Sequence, residues 1–153
     1  MADGARLRPR GHVRLLPAGR PLHPLDQSAL AEFLPYCLEH RIGVVAGGPY
    51  NSGILAVGAR AGATFNYRSA APEIMDRAAR IGAICARHRV PLKAAALQFV
   101  LAHPAIASVI PGARSLAEVE ENARMVELPI PAELWAELKQ AGLIAAGAPV
   151  PGA

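Results

Sequence analysis

Twice in this chain a short run of apolar, largely β-branched residues breaks on a glycine-containing corner and gives way to helix formers. RIGVVA, residues 41–46, runs into GGPYNSGIL, residues 47–55, and IASVI, residues 106–110, runs into PGARSLAEVEEN, residues 111–122. A strand with one wet face alternates polar and apolar residues, whereas a strand in a parallel sheet covered on both faces is apolar throughout. Parallel strands need crossovers, most often helices, so this feature restricts the chain to β/α architecture.

The remaining sequence fits that frame. His12 to Leu16 reads as a short first strand, stopped by Pro17. Asp26 reads as the N-cap of a helix whose Leu30, Phe33, Leu34, Cys37 and Leu38 share one face, with Pro35 expected to bend it. From Gly48 to about Pro72 the sequence predicts a long glycine-rich loop, the kind of segment that carries function. Two helices follow, one with Ile74, Ala78, Ile81 and Cys85 on its inner face, the other opened by Pro91 and stopped by Pro104. After the strand at 106–110, Ser115 and Glu118 form an S-x-x-E capping box in which Glu118 reaches back to the Ser115 N–H. Pro131 opens a last helix, with Leu134, Trp135 and Leu138 apolar and Gly142 at its end. At 153 residues, 52% of them hydrophobic, the chain has material for one core and one domain. Only three strands can be counted, and a three-stranded parallel sheet leaves two edges open.

Charge excludes some partners. The formal charge is +4, but five of the 16 basic residues (Arg6, Arg8, Arg10, Arg14, Arg20) and one of the 12 acids (Asp3) precede Asp26, so eleven of each remain in a neutral body. The basic leader has no apolar face beside its arginines and reads as a solvated tail, not a nucleic-acid arm. No apolar run is long enough to span a bilayer and no secretory core precedes a cleavage site, so cytoplasm is the default compartment. Cys37 and Cys85 lack CxxC spacing and read as two buried thiols, with no metal site.

In parallel β/α folds ligands bind where strands end and helices begin. At the corner ending in Ser115, free N–H groups at a helix start present partial positive charge to a phosphate, and Arg114 adds a bidentate donor. At the other corner Gly47, Gly48, Asn51, Ser52 and Gly53 offer a pliant backbone and small hydrogen-bonding groups suited to a pyrophosphate. Glycine and a capping box also serve any β/α turn for stability alone, so each corner by itself has a plain structural reading.

VVAGGPYNSGIL, LKAAALQFVLAHPAIASVIPGARSLAEVEEN and ELPIPAELWAEL together resemble the C-terminal half of aldo/keto reductases, most of all the branch of sugar and pyridoxal dehydrogenases. The likeness runs from about Asp26 to Ile144. It implies an α/β fold that is part of a (β/α)8 TIM barrel, about its last three β/α units plus a C-terminal helix, with 1–25 a poorly ordered leader and 145–153 a flexible tail. It further implies that NAD or NADP binds in extended form without a GxGxxG motif, and none is present. Gly47, Gly48, Pro49, Tyr50, Asn51, Ser52 and Gly53 would hold the pyrophosphate. Ile110, Gly112, Ala113, Arg114 and Glu118 would meet the adenosine ribose or its phosphate, and Glu121 and Asn122 the adenine. Many relatives carry an aromatic residue at the Gly47 position, stacked on the nicotinamide, and that contact is missing. Some NADP-specific relatives carry arginine at the Glu118 position, and a carboxylate there repels a 2′-phosphate, which favours NAD.

The family's catalytic Asp, Tyr, Lys and His come from its N-terminal half. Tyr36, Tyr50, Tyr67, Lys93 and Lys139 do not stand in those motifs, nor do His12, His23, His40, His88 and His103, so no catalytic residue is expected here. AGRPLHPLDQ, residues 18–27, resembles the end of the family's sixth strand, which its prolines would disturb. The expectation is the cofactor-binding half of a truncated hydride-transferring dehydrogenase, inactive alone. The alternative is a non-catalytic assembly module that pairs through its open sheet edges with a second copy or with a separate N-terminal half.

Overall fold

A computed structural model of the chain describes residues 21–152 and, as backbone, 13–15. The basic leader therefore lies largely outside the described residues. β1 (Val13–Leu15), β2 (Gly43–Gly47) and β5 (Ile106–Ile110) form an all-parallel sheet in the order β1-β2-β5. Val13 pairs with Gly43 at one ladder and Gly47 with Ile110 at the other, with one irregularity where Ala107 is extra on β5. β5 is an edge strand among the described residues, and its Ala107, Ser108 and Ile110 are exposed.

α4 (Leu92–Leu101) is the centre of the core. Ala94 to Val100 are all buried, because this helix packs on β5 and also against α2 (Ile54–Val57), α3 (Pro72–Arg87) and α5 (Leu116–Glu127). A helix covered on every side has no polar face, and this one accordingly carries only small and apolar residues after Lys93, Gln98 excepted. Its single buried amide is used: Gln98 Nε2 donates to the Met125 and Leu128 carbonyls at 2.9 and 2.7 Å, fixing the end of α5. α6 (Ala132–Gln140) brings Trp135 to within 6.4 Å of the Phe99 ring. It ends in a Schellman motif: Gly142, at φ +67°, donates to the Lys139 carbonyl, and Leu143 donates to the Leu138 carbonyl.

Four expectations need correction. The helix anticipated from Asp26 is two pieces, a 3-10 turn at Ser28–Leu30 and α1 at Phe33–Glu39. Asp26 accepts the Ser28 N–H at 3.0 Å and so caps the turn, while Pro35 falls in the first turn of α1, where its missing N–H costs nothing and no bend is needed. Leu38, assigned to the inner face, is 43% exposed. The long loop after Gly48 contains α2 and a hairpin, β3 (Thr64–Phe65) with β4 (Arg68–Ser69). Outside 26–144, Leu22, His23, Leu25 and Ala148 are buried, because each supplies a side chain to the core or to a buried hydrogen bond. Among the described residues no helix is long and apolar enough to cross a membrane, and no group of His, Cys, Asp or Glu is placed to hold a metal. Cys37 and Cys85 are buried thiols, and burial pushes Cys85 up to about 11.

Candidate functional site

Because β2 and β5 run parallel and in register at Gly47 and Ile110, the corners that follow them leave the sheet side by side. The Gly48 N–H donates to the Ile110 carbonyl at 3.1 Å, carrying the pairing one residue past the strand. Two further bonds join the corners. Tyr50 Oη donates to Asn122 Oδ1 at 2.8 Å, and Asn122 Nδ2 donates to the Gly112 carbonyl at 3.2 Å. Tyr50 and Asn122 are both buried, so this bridge stands out of competition with water. Burial, and secondarily the Glu121 charge, push the Tyr50 hydroxyl well above its ordinary range, which keeps it a donor. A tyrosine that exchanges protons with a substrate needs the opposite shift.

The two corners differ in the donors they leave free. At the first, the amides of Asn51 and Gly53 turn inward to the Gly48 and Tyr50 carbonyls, and that of Ile54 to Asn51. Pro49 is buried and has no N–H to offer. Asn51, Ser52 and Gly53 all take positive φ, at 40, 54 and 95°, and for the two residues that carry a Cβ this conformation is strained. The hairpin holds it. Asn51 Oδ1 accepts the Asn66 N–H at 2.7 Å, Asn51 Nδ2 donates to Asn66 Oδ1 at 2.8 Å and lies 2.8 Å from His23 Nε2, and Ser52 Oγ accepts the Tyr67 N–H at 2.8 Å. The corner is rigid, with Gly47, Gly48 and Ser52 exposed.

At the second corner the amides of Gly112, Ala113, Ser115, Leu116 and Ala117 donate to no acceptor among the described residues. Ser115 caps α5 by accepting the Glu118 N–H at 3.2 Å. The reciprocal half of the capping box is displaced by one residue: Glu118 Oε2 accepts the Arg114 N–H at 2.7 Å, not that of Ser115. Glu118 Oε1 lies 3.5 Å from the Arg114 guanidinium, and these contacts, the backbone N–H first, hold the Glu118 carboxyl below its usual range. The Arg114 side chain is otherwise exposed.

Sequence reasoning set Lys93 and His23 aside and did not single out Asn66. Lys93 Nζ is 2.5 Å from Glu121 Oε2 and 5.4 Å from the centroid of the Tyr50 ring, which places a cation beneath both corners. A run of apolar residues after Lys93 is the signal that this lysine does not belong to a solvated face. The 47–53 and 110–122 residues expected to act together are thus gathered at one end of the sheet. A cleft of about 500 Å³ lies elsewhere, between the start of α3 and the end of α6, and its Arg77 and Arg80 are engaged with the Leu143 and Ala141 carbonyls.

The family model described as "Aldo/keto reductase family" matches residues 20–142. The chain is 44% identical over 121 residues to D-threo-aldose 1-dehydrogenase from Pseudomonas sp, covering 78% of this chain and 37% of that protein. It is 41% identical over 120 residues to pyridoxal 4-dehydrogenase from Microbacterium luteolum, covering 78% and 35%. Among solved structures, the holo form of an aldo-keto reductase from Bacillus halodurans superposes with a TM-score of 0.64 at 27% identity, over 92% of this chain and 45% of that one. An aldo/keto reductase from Klebsiella pneumoniae, solved with NADP and acetate, shares the fold at a TM-score of 0.58 and 19% identity. The chain therefore spans little more than a third of the curated relatives' length and under half of the solved ones'.

Proposed function

The chain belongs to the aldo/keto reductase family of oxidoreductases, and from that premise we propose that it supplies the nicotinamide-dinucleotide side of a hydride-transferring dehydrogenase. In barrel terms it would contribute the last three β/α units and the C-terminal helix. The observation that carries the reading is the buried Tyr50–Asn122–Gly112 bridge, which fixes two strand-end corners beside each other, one of them with a row of free amides.

The residues fit a dinucleotide in chemistry. The amides of Gly112, Ala113 and Ser115 to Ala117, at the start of α5, suit the negative charge of the adenosine side or of the pyrophosphate. Gly47, Gly48 and Ser52 give close backbone approach at the other corner, and Gly47 has no atom within 4 Å of where a Cβ would stand. Glu118 favours NAD over NADP, because it already occupies Arg114 and sets a negative charge where a 2′-phosphate would sit. Bound NAD supplies hydride chemistry at its nicotinamide ring. The chain's own part is to bind and orient it. No residue here matches the family's catalytic Asp, Tyr, Lys and His, and the upward shift of Tyr50 supports leaving it out of proton transfer.

Titration calorimetry with NAD tests this. Saturable one-to-one binding is expected, lost in Gly112→Val, which places a β-branched side chain on a backbone at φ +73° and so reshapes the corner that carries the free amides. Binding equally tight in that variant refutes the placement. Turnover of aldose sugars by the chain alone at ordinary dehydrogenase rates refutes the non-catalytic part.

One observation favours assembly as a second reading. Leu116, Val119, Ala123 and Val126 line one side of α5 at spacings of three, four and three, and the three larger ones are 73, 53 and 41% exposed. With the outer edge of β5 alongside in sequence, they suit pairing with a further β/α unit. Glu120 and Glu127 flank the stripe, so a partner with basic flanks fits better than a second copy. Light scattering at micromolar concentration decides between them: a dimer of the pure chain counts against the charge reasoning.

A further inference from the structure

We propose that His23 is an acid-sensitive latch on the corner after β2: a proton taken at its Nε2 expels the Asn51 amide and releases residues 51–53 and 66–67 while the sheet and α4 stay folded. Two donors face the ring. The Asp26 N–H points at Nδ1 from 3.1 Å, and Asn51 Nδ2 lies 2.8 Å from Nε2. The Asn51 amide cannot be turned round, because its Oδ1 accepts the Asn66 N–H and a hydrogen of its Nδ2 goes to Asn66 Oδ1.

A neutral imidazole has one lone pair for these two donors. The Asp26 N–H also has the His23 carbonyl, at 3.0 Å, whereas the hydrogen that Asn51 aims at the ring has no other acceptor among the described residues. The lone pair therefore belongs on Nε2 and the ring proton on Nδ1. A second proton can enter only at Nε2, where it meets an N–H donor inside a site that is 1% exposed. Two charges face the ring: the Asp26 carboxylate, from its own turn, favours the proton, and Arg77, from α3, opposes it. The hairpin offers the edge of the Phe65 ring and the corner offers the Asn51 amide, both uncharged. Burial outweighs Asp26 and pulls the ring down to about 4.

What the proton displaces also holds the hairpin. Asn51 makes both bonds to Asn66, and the hairpin tip in turn holds Ser52 through the Tyr67 N–H. Asn51 and Ser52 stand at φ 40 and 54°, a left-handed backbone that residues with a Cβ leave when nothing holds them there. The β2–β5 ladder and the buried face of α4 keep their own bonds and contacts. Where the dinucleotide reading holds, Ser52 and Gly53 belong to the pyrophosphate corner and binding becomes acid-labile; if that reading fails, the latch stands.

Amide hydrogen exchange resolved by NMR on the full chain between pH 7 and 5 tests this, each rate being divided by the intrinsic rate at that pH. Protection of the Asn66 and Tyr67 amides should fall below pH 6.5 by about tenfold per pH unit, because the released ring accepts the proton that the latched one resists. Urea at about 1 M should leave these two amides unchanged and lower the protection of buried Val44, whose N–H donates to the Ala105 carbonyl, since a local opening exposes little surface. His23→Gln keeps an acceptor toward Asn51 and cannot take the proton, so protection at the hairpin tip should become flat with pH. Three results overturn the latch: hairpin protection in the parent that does not change with pH, a loss that tracks Val44 in urea and so reports global unfolding, or a pH slope that survives in His23→Gln.

Discussion

The Tyr50 hydroxyl donates to Asn122 Oδ1 at 2.8 Å across 72 residues of sequence, and both side chains are buried. Among the described residues it is the only buried side-chain hydrogen bond between the corner after β2 and helix α5. Tyr50→Phe removes the donor and leaves the Asn122 oxygen buried without it, a loss of about 1–3 kcal/mol. Urea denaturation should show a lower midpoint with an unchanged slope, and calorimetry should show weaker NAD binding. An unchanged midpoint means that the corners are held together by the sheet alone.

Glu118 and Arg114 compete for the same job. The carboxylate accepts the Arg114 N–H at 2.7 Å and lies 3.5 Å from its guanidinium. Glu118→Gln removes the negative charge and leaves the guanidinium available to a 2′-phosphate. The ratio of NADP to NAD affinity should rise about tenfold, the scale of one charge-assisted contact at an exposed site. In Arg114→Ala/Glu118→Gln the gain should vanish. If it persists, the 2′-phosphate is not read at this corner.

The strands and the two corners were legible because their signals are local. IASVI carries β-branched Ile106, Val109 and Ile110, and the element has those bounds. Ser115 was readable as a cap because its hydroxyl acts three residues away. What escaped depends on partners distant in sequence. Lys93 reads as an ordinary helix-surface cation until Glu121, 28 residues on, is brought against it. The inward turn of the Asn51 and Gly53 amides, and the left-handed backbone from Asn51 to Gly53, exist because Asn66 and Tyr67 return to hold them. The hairpin that brings these residues was missed because its turn is Asn-Tyr, which lacks the glycine that usually announces such a turn.

That turn yields a stabilising change. Asn66 and Tyr67 both take positive φ, at 50 and 61°, as the two central residues of a type I′ turn do, and the Tyr67 side chain is 89% exposed. Tyr67→Gly removes a Cβ from a left-handed backbone and keeps the N–H that Ser52 Oγ accepts. It should raise stability by about 0.5–1 kcal/mol. Thermal melts of the two chains under one buffer measure it. A lower melting temperature means the Tyr67 ring makes contacts that its exposure does not suggest.

His23 sets the response to acid. It is 1% exposed, its Nδ1 faces the Asp26 N–H at 3.1 Å and its Nε2 faces the Asn51 amide at 2.8 Å, so a second ring proton has no acceptor to meet. Burial pulls its pKa from 6.5 to about 4, against the opposing pull of Asp26. The folded state therefore resists a proton that the unfolded chain accepts. Stability is complete above pH 6.5 and falls as the pH drops toward 4, by about 3 kcal/mol over the whole window. Buried His103 is lowered by the same cause and adds loss of the same sign. Urea denaturation at half-unit steps between pH 7 and 5 isolates the histidines from the carboxylates, which titrate lower. His23→Gln should be less stable than the parent at pH 7 but should lose less on acidification, because its amide can still bond to Asn51 and cannot take the proton. Parallel curves for the two chains in that range would mean that the His23 ring is already exposed to water, and that the Asn51 corner is not braced from that side.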